Sequence, residues 1–287
     1  MLVSIYEYAL DEGSMKIWTV ANQKGGVGKT TTAVTLGGLL ARQGKRVLLL
    51  DLDPHGSLTS YLGYSPDKVE KGAYELFLQK GRMSAVLGDQ IIKRTNFADL
   101  WLIPASITLA TLDRQLGAQE GMGLLITKAL KKLRARYDYV IIDCPPILGV
   151  LMVNALAACE KVIIPAQTEF LALKGLERMI DTLAMVKKTK SFNFSTVILP
   201  TMFDRRTSAA LGSLKILEEQ YKKWLWRLPV PVDTKLREAS QKGVPISQLY
   251  PQSRGLYVYQ QFLDYLLESG AGSGMAQPVM SDPGVFV

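Results

Sequence analysis

The chain has 287 residues, 48% of them hydrophobic, which suffices for a full core in one large α/β domain or two small ones and excludes global disorder. Its formal net charge of +8 favours an acidic partner such as nucleic acid or an anionic lipid surface, and a solvated basic surface without a partner explains the charge equally well. Its two isolated cysteines argue against a disulfide framework, and no apolar run reaches the roughly 18 residues that a membrane-spanning helix needs.

The first predicted element is a short buried strand at 17–21, and a glycine-rich loop follows it at 23–30. The preceding residues, 1–14, lack the basic start of a secretion signal, and we expect them to be an extension or an early start ahead of Met15. From Thr31 onward the apolar residues recur at helical spacing. Strand, glycine loop and helix in this order are the setting in which a phosphate-binding loop is expected.

The residue types in this loop suit phosphate binding. Gly25, Gly26 and Gly28 carry no side chain, so backbone N–H groups can close around phosphate oxygens. The positive end of the following helix points at the same anion. Lys29 adds a positive charge for the outer phosphates, and Thr30 offers a hydroxyl to Mg²⁺. The alternative is a glycine-rich turn whose lysines are merely solvated.

Apolar strands alternate with helical stretches along most of the chain, which predicts a doubly wound, mostly parallel α/β sheet with helices on both faces. After the first strand, further strands are predicted at 46–52, 100–104, 139–143, 161–165, 196–200 and 225–230. Helices are predicted at 30–43, 107–118, 123–136, 149–158, 170–188, 207–222 and 254–268. Residues 15–268 are interpreted as one domain, and the Gly-, Ser- and Pro-rich residues 269–287 as a disordered tail.

Two of the predicted strands end in carboxylates. Asp51 ends one strand and Asp53 lies just beyond it, while Asp143 ends another. Because the carboxyl ends of parallel strands share one edge of a sheet, we expect all three beside the phosphate loop. There they can hold Mg²⁺ or orient an attacking water. The only histidine, His55, lies in the same loop, and we interpret it as a loop residue without a role in proton transfer.

The string K-G-G-V-G-K-T-T at 24–31 resembles the deviant Walker A box of the ParA/MinD family of dimeric ATPases. In that family the first lysine, here Lys24, reaches across a dimer interface to the partner's nucleotide. The resemblance implies ATP and Mg²⁺ as cofactors, with Lys24, Lys29 and Asp53 acting in catalysis and Thr30, Asp53 and Asp143 around the metal. The loop residues that it assigns to the nucleotide are Lys24, Gly25, Gly26, Val27, Gly28, Lys29, Thr30 and Thr31.

Three later segments resemble the same family. Gln167 and Glu169 correspond to residues near the dimer interface or the nucleotide. The strings P-T-M-F-D-R-R-T at 200–207 and V-P-V-D-T-K-L-R-E-A at 230–239 match two further family boxes. The residues that these boxes place around the base are Met202, Asp204, Pro231 and Val232. The residues that they implicate in DNA binding are Arg206 and Lys235.

The resemblance implies a cytoplasmic ATPase that works as a switch, in which ATP joins two subunits, the dimer binds a surface, and hydrolysis releases it. The expected surface is non-specific DNA of the nucleoid or a protein at the cell pole, and a ParB-like or polar adaptor is expected to stimulate hydrolysis. The strings D-P-H and D-C-P-P-I-L-G-V-L-M-V-N are most similar to ParA-like proteins encoded with chemotaxis and flagellar genes. This similarity implies chemoreceptor arrays as the cargo, with plasmid or chromosome DNA as the alternative.

Two other functions fit the same fold. A MinD-like membrane regulator requires a basic amphipathic helix at its C-terminus, whereas residues 269–287 contain no Lys or Arg and are interrupted by Gly and Pro, which argues against this alternative. Integral membrane association is not expected either, because no apolar run is long enough to span a bilayer. An iron–sulfur reductase requires two cysteines per subunit that share a cluster across the dimer. Cys144 and Cys159 are instead expected to be buried thiols.

Overall fold

The computed structural model describes residues 15–112, 122–188 and 192–269, and these contain a seven-stranded sheet in the order β3-β4-β2-β5-β1-β6-β7. The strands are β1 (Lys16–Val20), β2 (Val47–Asp51), β3 (Lys93–Arg94), β4 (Leu100–Ile103), β5 (Tyr139–Asp143), β6 (Lys161–Gln167) and β7 (Ser195–Thr201). Every pairing is parallel except that of β3 with β4. The predicted doubly wound, mostly parallel sheet is therefore confirmed.

Helices cover both faces of this sheet. They are α1 (Lys29–Arg42), α2 (Ser57–Tyr61), α3 (Ala73–Leu78), α4 (Ala85–Ile91), α5 (Leu125–Lys131), α6 (Val150–Ala158), α7 (Phe170–Lys187), α8 (Ser208–Gln220), α9 (Thr234–Lys242), α10 (Ile246–Leu249) and α11 (Arg254–Glu268). One hydrophobic cluster joins the sheet to α3–α8, and a second joins it to α1, α2 and α9–α11. Residues on both faces of the strands are therefore buried, which explains why the strands are continuous apolar runs rather than alternating patterns.

The register of the central strands sets the positions of the functional loops. All five residues of β2 and of β5 are buried, and Asp51 pairs directly with Asp143 at their carboxyl ends. Strand β1 lies between β5 and β6, so the loop that follows it leaves the sheet at the centre of the same edge. The phosphate loop and the carboxylates thus come together through strand pairing alone.

The prediction of a strand at 225–230 is wrong. This segment makes only isolated bridges to β7 and the turn beyond it, at Ile198–Leu225 and Phe203–Pro231. Proline has no backbone N–H to donate, and Pro229 and Pro231 interrupt any continuous ladder here. The segment follows the sheet edge as an irregular chain.

Several short elements are not predicted from the sequence, namely α2, α3, α4, α9 and α10. Each has only four to nine residues, too few for a clear periodic signal, and their stability comes from packing on the sheet. The predicted helix at 107–118 is a 3₁₀ helix over Ile107–Thr111 in its described part, and the one at 123–136 ends at Lys131. The predictions for 1–14 and for the tail beyond Ser269 lie outside the described residues.

Candidate nucleotide-binding site

The loop after β1 forms an open cradle. Gly26 and Gly28 have positive φ angles of 75° and 92°, a conformation that residues with a side chain rarely adopt. A Cβ atom built at Gly25, Gly26 or Gly28 would meet nothing within 4 Å, so the space beside these glycines is open. Gly28 also immediately precedes α1, so the positive end of this helix faces the same space. The residues therefore fit a bound phosphate chain.

Side chains from neighbouring strands hold this loop in place. Asn22 donates from Nδ2 to the carbonyl oxygen of Pro165 at 2.8 Å, and its Oδ1 accepts from the backbone N–H of Lys24. Thr201, at the end of β7, donates from Oγ1 to the carbonyl oxygen of Val27 at 2.9 Å. These bonds fix the loop to β6 and β7.

The two lysines of the loop have different surroundings. Lys29 is buried, and its Nζ lies 3.1 Å from the carbonyl oxygen of Lys24, inside the loop. Lys24 leans outward instead, and its Nζ lies 3.4 Å from Oε1 of Glu169 at the start of α7. Helix α7 comes so close that a Cβ atom at Gly175 would lie 2.9 Å from Cβ of Lys24. One lysine is therefore placed for a nucleotide in its own subunit, and the other faces outward.

Three carboxylates lie at the adjoining edge, as predicted. Asp143 accepts a 2.6 Å hydrogen bond at Oδ2 from the Thr30 hydroxyl, while its buried Oδ1 has no hydrogen-bond partner among the described residues. Burial raises the pKa of Asp143, and the nearby Asp51 raises it further. Hydroxyl and carboxylate oxygens are the ligands that Mg²⁺ takes. The pair of Thr30 and Asp143 thus fits the predicted metal position.

Asp51 is fully buried and already saturated with donors. It accepts hydrogen bonds from the backbone N–H of Asp53 at 3.0 Å and from the backbone and hydroxyl of Thr59 at 2.8 and 2.7 Å. Burial raises its pKa as well. Its bonds shape the loop that carries Asp53, so Asp51 acts as an anchor for that loop.

Asp53 lies just inside the surface, with its side chain 13% exposed. Its Oδ1 accepts from the backbone N–H of His55 at 3.0 Å and lies 2.9 Å from the ring Nδ1 of the same residue. The His55 side chain itself is 80% exposed. Asp53 therefore has one carboxylate oxygen held by its own turn, and the sequence alone did not indicate this contact with His55.

A cavity of about 350 Å³ adjoins the loop. Its lining residues are Gly28, Thr31, Thr201, Met202, Val230, Pro231, Val232, Asp233, Leu236, Arg237, Ser240, Gln241 and Tyr259. Met202, Pro231 and Val232 are the predicted base neighbours, and the cavity brings them together. Its mixed apolar and polar walls suit a base and a ribose.

Asp204, in contrast, does not line this cavity. Its carboxylate receives two hydrogen bonds from the guanidinium of Arg206, at 2.9 and 2.8 Å, and these hold the pKa of Asp204 at about 2. Arg206 and Lys235, the predicted DNA-binding residues, also lie outside the cavity lining, and the Nζ of Lys235 lies 3.1 Å from Oε2 of Glu238. Both predicted cations therefore have acidic partners within the chain.

Sequence reasoning missed one wall of the cavity. Asp233, Arg237, Ser240 and Gln241 come from the N-cap and one face of α9. Their spacing of four, seven and eight residues is that of a single helical face, so recognising this helix would have identified them. Tyr259, from α11, was not signalled by any pattern, because only the packing of α11 on α1 brings its hydroxyl to within 2.8 Å of Thr32.

Neither cysteine is available to a partner subunit. Cys144 and Cys159 are both buried in the hydrophobic core, and burial raises the pKa of both thiols. No group of three or more His, Cys, Asp or Glu side chains that could hold a metal by themselves occurs within the described ranges. The cysteines are therefore core residues, which argues against a shared iron–sulfur cluster.

Among the described helices, none is long and apolar enough to cross a bilayer.

Comparisons with known proteins agree with this site. Residues 15–196 match the AAA domain family. The chain is 39% identical to the sporulation initiation inhibitor protein Soj of Bacillus subtilis, over 85% of this chain and 95% of that protein. It is 37% identical to the chromosome partitioning protein ParA of Myxococcus xanthus, over 85% of each.

Solved structures of nucleotide-bound proteins are also similar to this chain. Cobyrinic acid a,c-diamide synthase of Mycobacterium smegmatis, with bound ATP analog and magnesium, is similar with a TM-score of 0.78 and 35% identity, over 93% of this chain and 100% of that one. A putative plasmid partition protein of Borrelia burgdorferi bound to AMPPNP is similar with a TM-score of 0.73 and 25% identity, over 89% and 99% of the two chains. With its deviant phosphate loop, its strand-end carboxylates and these relatives, the chain belongs to the ParA/MinD-like family of P-loop ATPases.

Proposed function

We propose that this chain is an ATP-driven dimeric switch that partitions or positions a cargo in the cell. ATP and Mg²⁺ are its cofactors, and ATP hydrolysis is its reaction. The observation that carries the proposal is the pair of differently oriented lysines in one loop, with Lys29 buried inside it and Lys24 directed outward. An outward lysine has no task in a monomeric phosphate site, whereas it can reach the nucleotide of a second copy.

Each of the site residues has a separate role in hydrolysis. The loop N–H groups and Lys29 bind and neutralise the phosphates, and Thr30 and Asp143 would hold Mg²⁺. Bound Mg²⁺ supplies positive charge to the phosphate oxygens. Asp53, held at the mouth of the site, orients the attacking water. Because this catalysis depends on positioning, an incomplete monomeric site is expected to turn over slowly.

The cycle that follows is one of assembly and release. ATP joins two copies, the dimer binds a surface through backbone phosphates of DNA, and hydrolysis separates the copies. A ParB-like or polar adaptor that completes the site would accelerate the release. Support comes from the net charge of +8 and from relatives that are named for chromosome and plasmid partitioning.

Two observations bear on the identity of the cargo. The relatives and solved structures described above include chromosome and plasmid partition proteins, which favours DNA. The alternative cargo, chemoreceptor arrays, is supported by the resemblance of D-P-H and D-C-P-P-I-L-G-V-L-M-V-N to chemotaxis-linked proteins. A fluorescent fusion imaged together with labelled DNA and labelled receptor arrays distinguishes the two, because deletion of the gene should mislocalise only the true cargo.

Replacing Lys24 tests the switch. Lys24→Ala should still bind ATP, since Lys29 remains in the loop, but should not form the ATP-dependent dimer. Size-exclusion chromatography with ATP and Mg²⁺ measures this directly. Lys174→Ala is the matched control, because it removes another lysine paired with a glutamate on α7 and should dimerise like wild type. A Lys24→Ala protein that dimerises like this control would contradict the proposal.

A further inference from the structure

Five cations lie on and just after α5, and we call them the α5 basic surface: Lys128, Lys131, Lys132, Arg134 and Arg136. All five are exposed, and residues 122–137 contain no Asp or Glu. Among the described residues none of the five takes part in an ion pair. The segment therefore carries a concentrated positive charge that no ion pair within the described part of the chain neutralises.

The opposite side of α5 holds this surface rigid. Leu125, Ile126, Ala129 and Leu130 are buried in the core against α3 and α6. At the start of the helix, Oδ1 of Asn154 accepts hydrogen bonds from the backbone N–H groups of Leu125 and Ile126 at 2.8 and 3.2 Å. The cations consequently project from a fixed platform, and the apolar residues of α5 are not free to enter a membrane.

Neighbouring elements add further positive charge. A Cβ atom built at Gly81 would lie 3.0 Å from Cβ of Lys128, so the exposed cations Lys80 and Arg82 flank the helix. The carboxylate of Asp138, the acid that follows the segment, is occupied by Arg46 at 2.7 Å. On α4, packed beside Arg136, one exposed acid, Asp89, is present. The local balance thus stays strongly positive.

This surface differs from the predicted DNA contacts. Arg206 is bonded to Asp204 and Lys235 to Glu238, so each must share or exchange a partner before it meets a phosphate. Within the ranges that the structure describes, the cations of the α5 basic surface have no acidic partner to exchange. Lys131 and Lys132 follow Lys128 by three and four residues, a spacing that places each of them about 5–6 Å from Lys128 between Cβ atoms. They can contact several phosphates at once.

We propose that the α5 basic surface binds the phosphate backbone of double-stranded DNA. The proposal rests on the proposed function, in which DNA is the surface that the dimer binds. Residues 122–136 contain no aromatic side chain on which unpaired bases could stack, so backbone contact to a duplex is favoured over single-strand binding. Such contacts carry no sequence information.

The test is a fluorescence-anisotropy titration of a mixed-sequence DNA duplex with full-length protein, ATP and Mg²⁺, across a salt series. The variant is Lys128→Gln/Lys131→Gln/Lys132→Gln. Its matched control is Lys174→Gln/Lys215→Gln/Lys242→Gln, which lowers the net charge by the same three units at sites away from α5. Basal ATPase activity and circular dichroism should be unchanged in both, because none of these lysines lies at the nucleotide site.

We expect the α5 variant to lose DNA affinity by about tenfold or more at low salt, and its log–log salt slope to fall by up to about 2.7, since each lost phosphate contact removes roughly 0.9. The control should resemble wild type. Equal affinities for the α5 variant and the control would overturn this inference while leaving the switch intact. Wild type that fails to bind DNA at low salt would instead remove DNA from the proposed function. The inference would also be overturned if the α5 variant kept its affinity for DNA and lost only its affinity for vesicles of anionic lipid.

Discussion

The three carboxylates of the site are close together but differ in their surroundings. Asp51 is enclosed by donors from its own loop, and Asp143 pairs with the Thr30 hydroxyl while its buried second oxygen has no hydrogen-bond partner among the described residues. Only Asp53 lies near the surface, beside His55. In the proposed function the same functional group would serve as a loop anchor, a metal ligand and a water-orienting group because of these differences in burial and hydrogen bonding.

At this scale the decisive variant is Asp53→Ala. It should bind ATP and dimerise, since the hydrogen bonds of the Asp53 carboxylate go to His55 and not to the phosphate loop or Thr30, but its turnover should fall by about a hundredfold or more if it orients the water. His55→Ala is the companion variant and should hydrolyse ATP at close to the wild-type rate. Steady-state phosphate release measures both. The assignment fails if Asp53→Ala retains activity, and loss of activity only in His55→Ala would transfer the role to the histidine.

At the scale of elements, one buried lysine connects the sheet to the last helix. Lys161, the first residue of β6, donates from Nζ to the carbonyl oxygen of Leu266 at 3.1 Å and to Oγ of Ser269 at 2.7 Å. It thus caps the negative end of α11, which in turn covers α1. Burial, together with the charge of Lys16, lowers the pKa of Lys161 to about 8, although Glu160 opposes this shift.

This shift predicts a pH dependence of stability. The ordinary pKa of lysine is 10.5, so between about pH 8 and that value the unfolded chain holds a proton that the folded chain has released. The contribution of Lys161 to the free energy of unfolding should therefore rise with pH in this window, by roughly 1 kcal/mol per pH unit. Urea unfolding of wild type and Lys161→Met, at about pH 7.5 and about pH 9.5, measures the difference between the two proteins. A difference that stays constant or shrinks as the pH rises would contradict the shift.

For the whole molecule, the contact of Lys24 with Glu169 would oppose the proposed dimer. In a single chain this carboxylate holds the lysine at 3.4 Å, and in the proposed function the lysine must leave it to reach a partner's nucleotide. Both side chains are partly exposed, so the contact is worth only about 0.2–1 kcal/mol. A contact of this strength can shift the equilibrium towards the monomer without preventing dimerisation.

Glu169→Gln should therefore strengthen the ATP-dependent dimer, lowering its dissociation constant by about two- to fivefold. Glu177→Gln provides the control, because it breaks the exposed Lys174–Glu177 pair on the same helix and should leave dimerisation unchanged. Sedimentation equilibrium with a non-hydrolysable ATP analogue gives the constants. Unchanged or weaker association of Glu169→Gln would show that Glu169 does not restrain Lys24, or that it supports the interface.

Elements whose signals are contiguous could be predicted from the amino-acid sequence. The phosphate loop is a single string, and β2 and β5 are unbroken apolar runs that end in carboxylates. Their position at one edge follows from parallel pairing, so the predicted meeting of Asp143 with the loop needed no tertiary detail. The family and its cofactors followed from the same strings.

Contacts between distant parts of the chain, in contrast, could not be predicted before the fold was known. The cavity wall on α9, the hydroxyl of Tyr259 and the ion pair of Lys24 with Glu169 bring together residues far apart in sequence, and no local pattern encodes them. Charge is the clearest case. The composition gave a net charge of +8, whereas folding gives Arg206 and Lys235 acidic partners and leaves the cations of α5 outside any ion pair of the described chain. Whether a cation is free depends on which acid the fold places beside it.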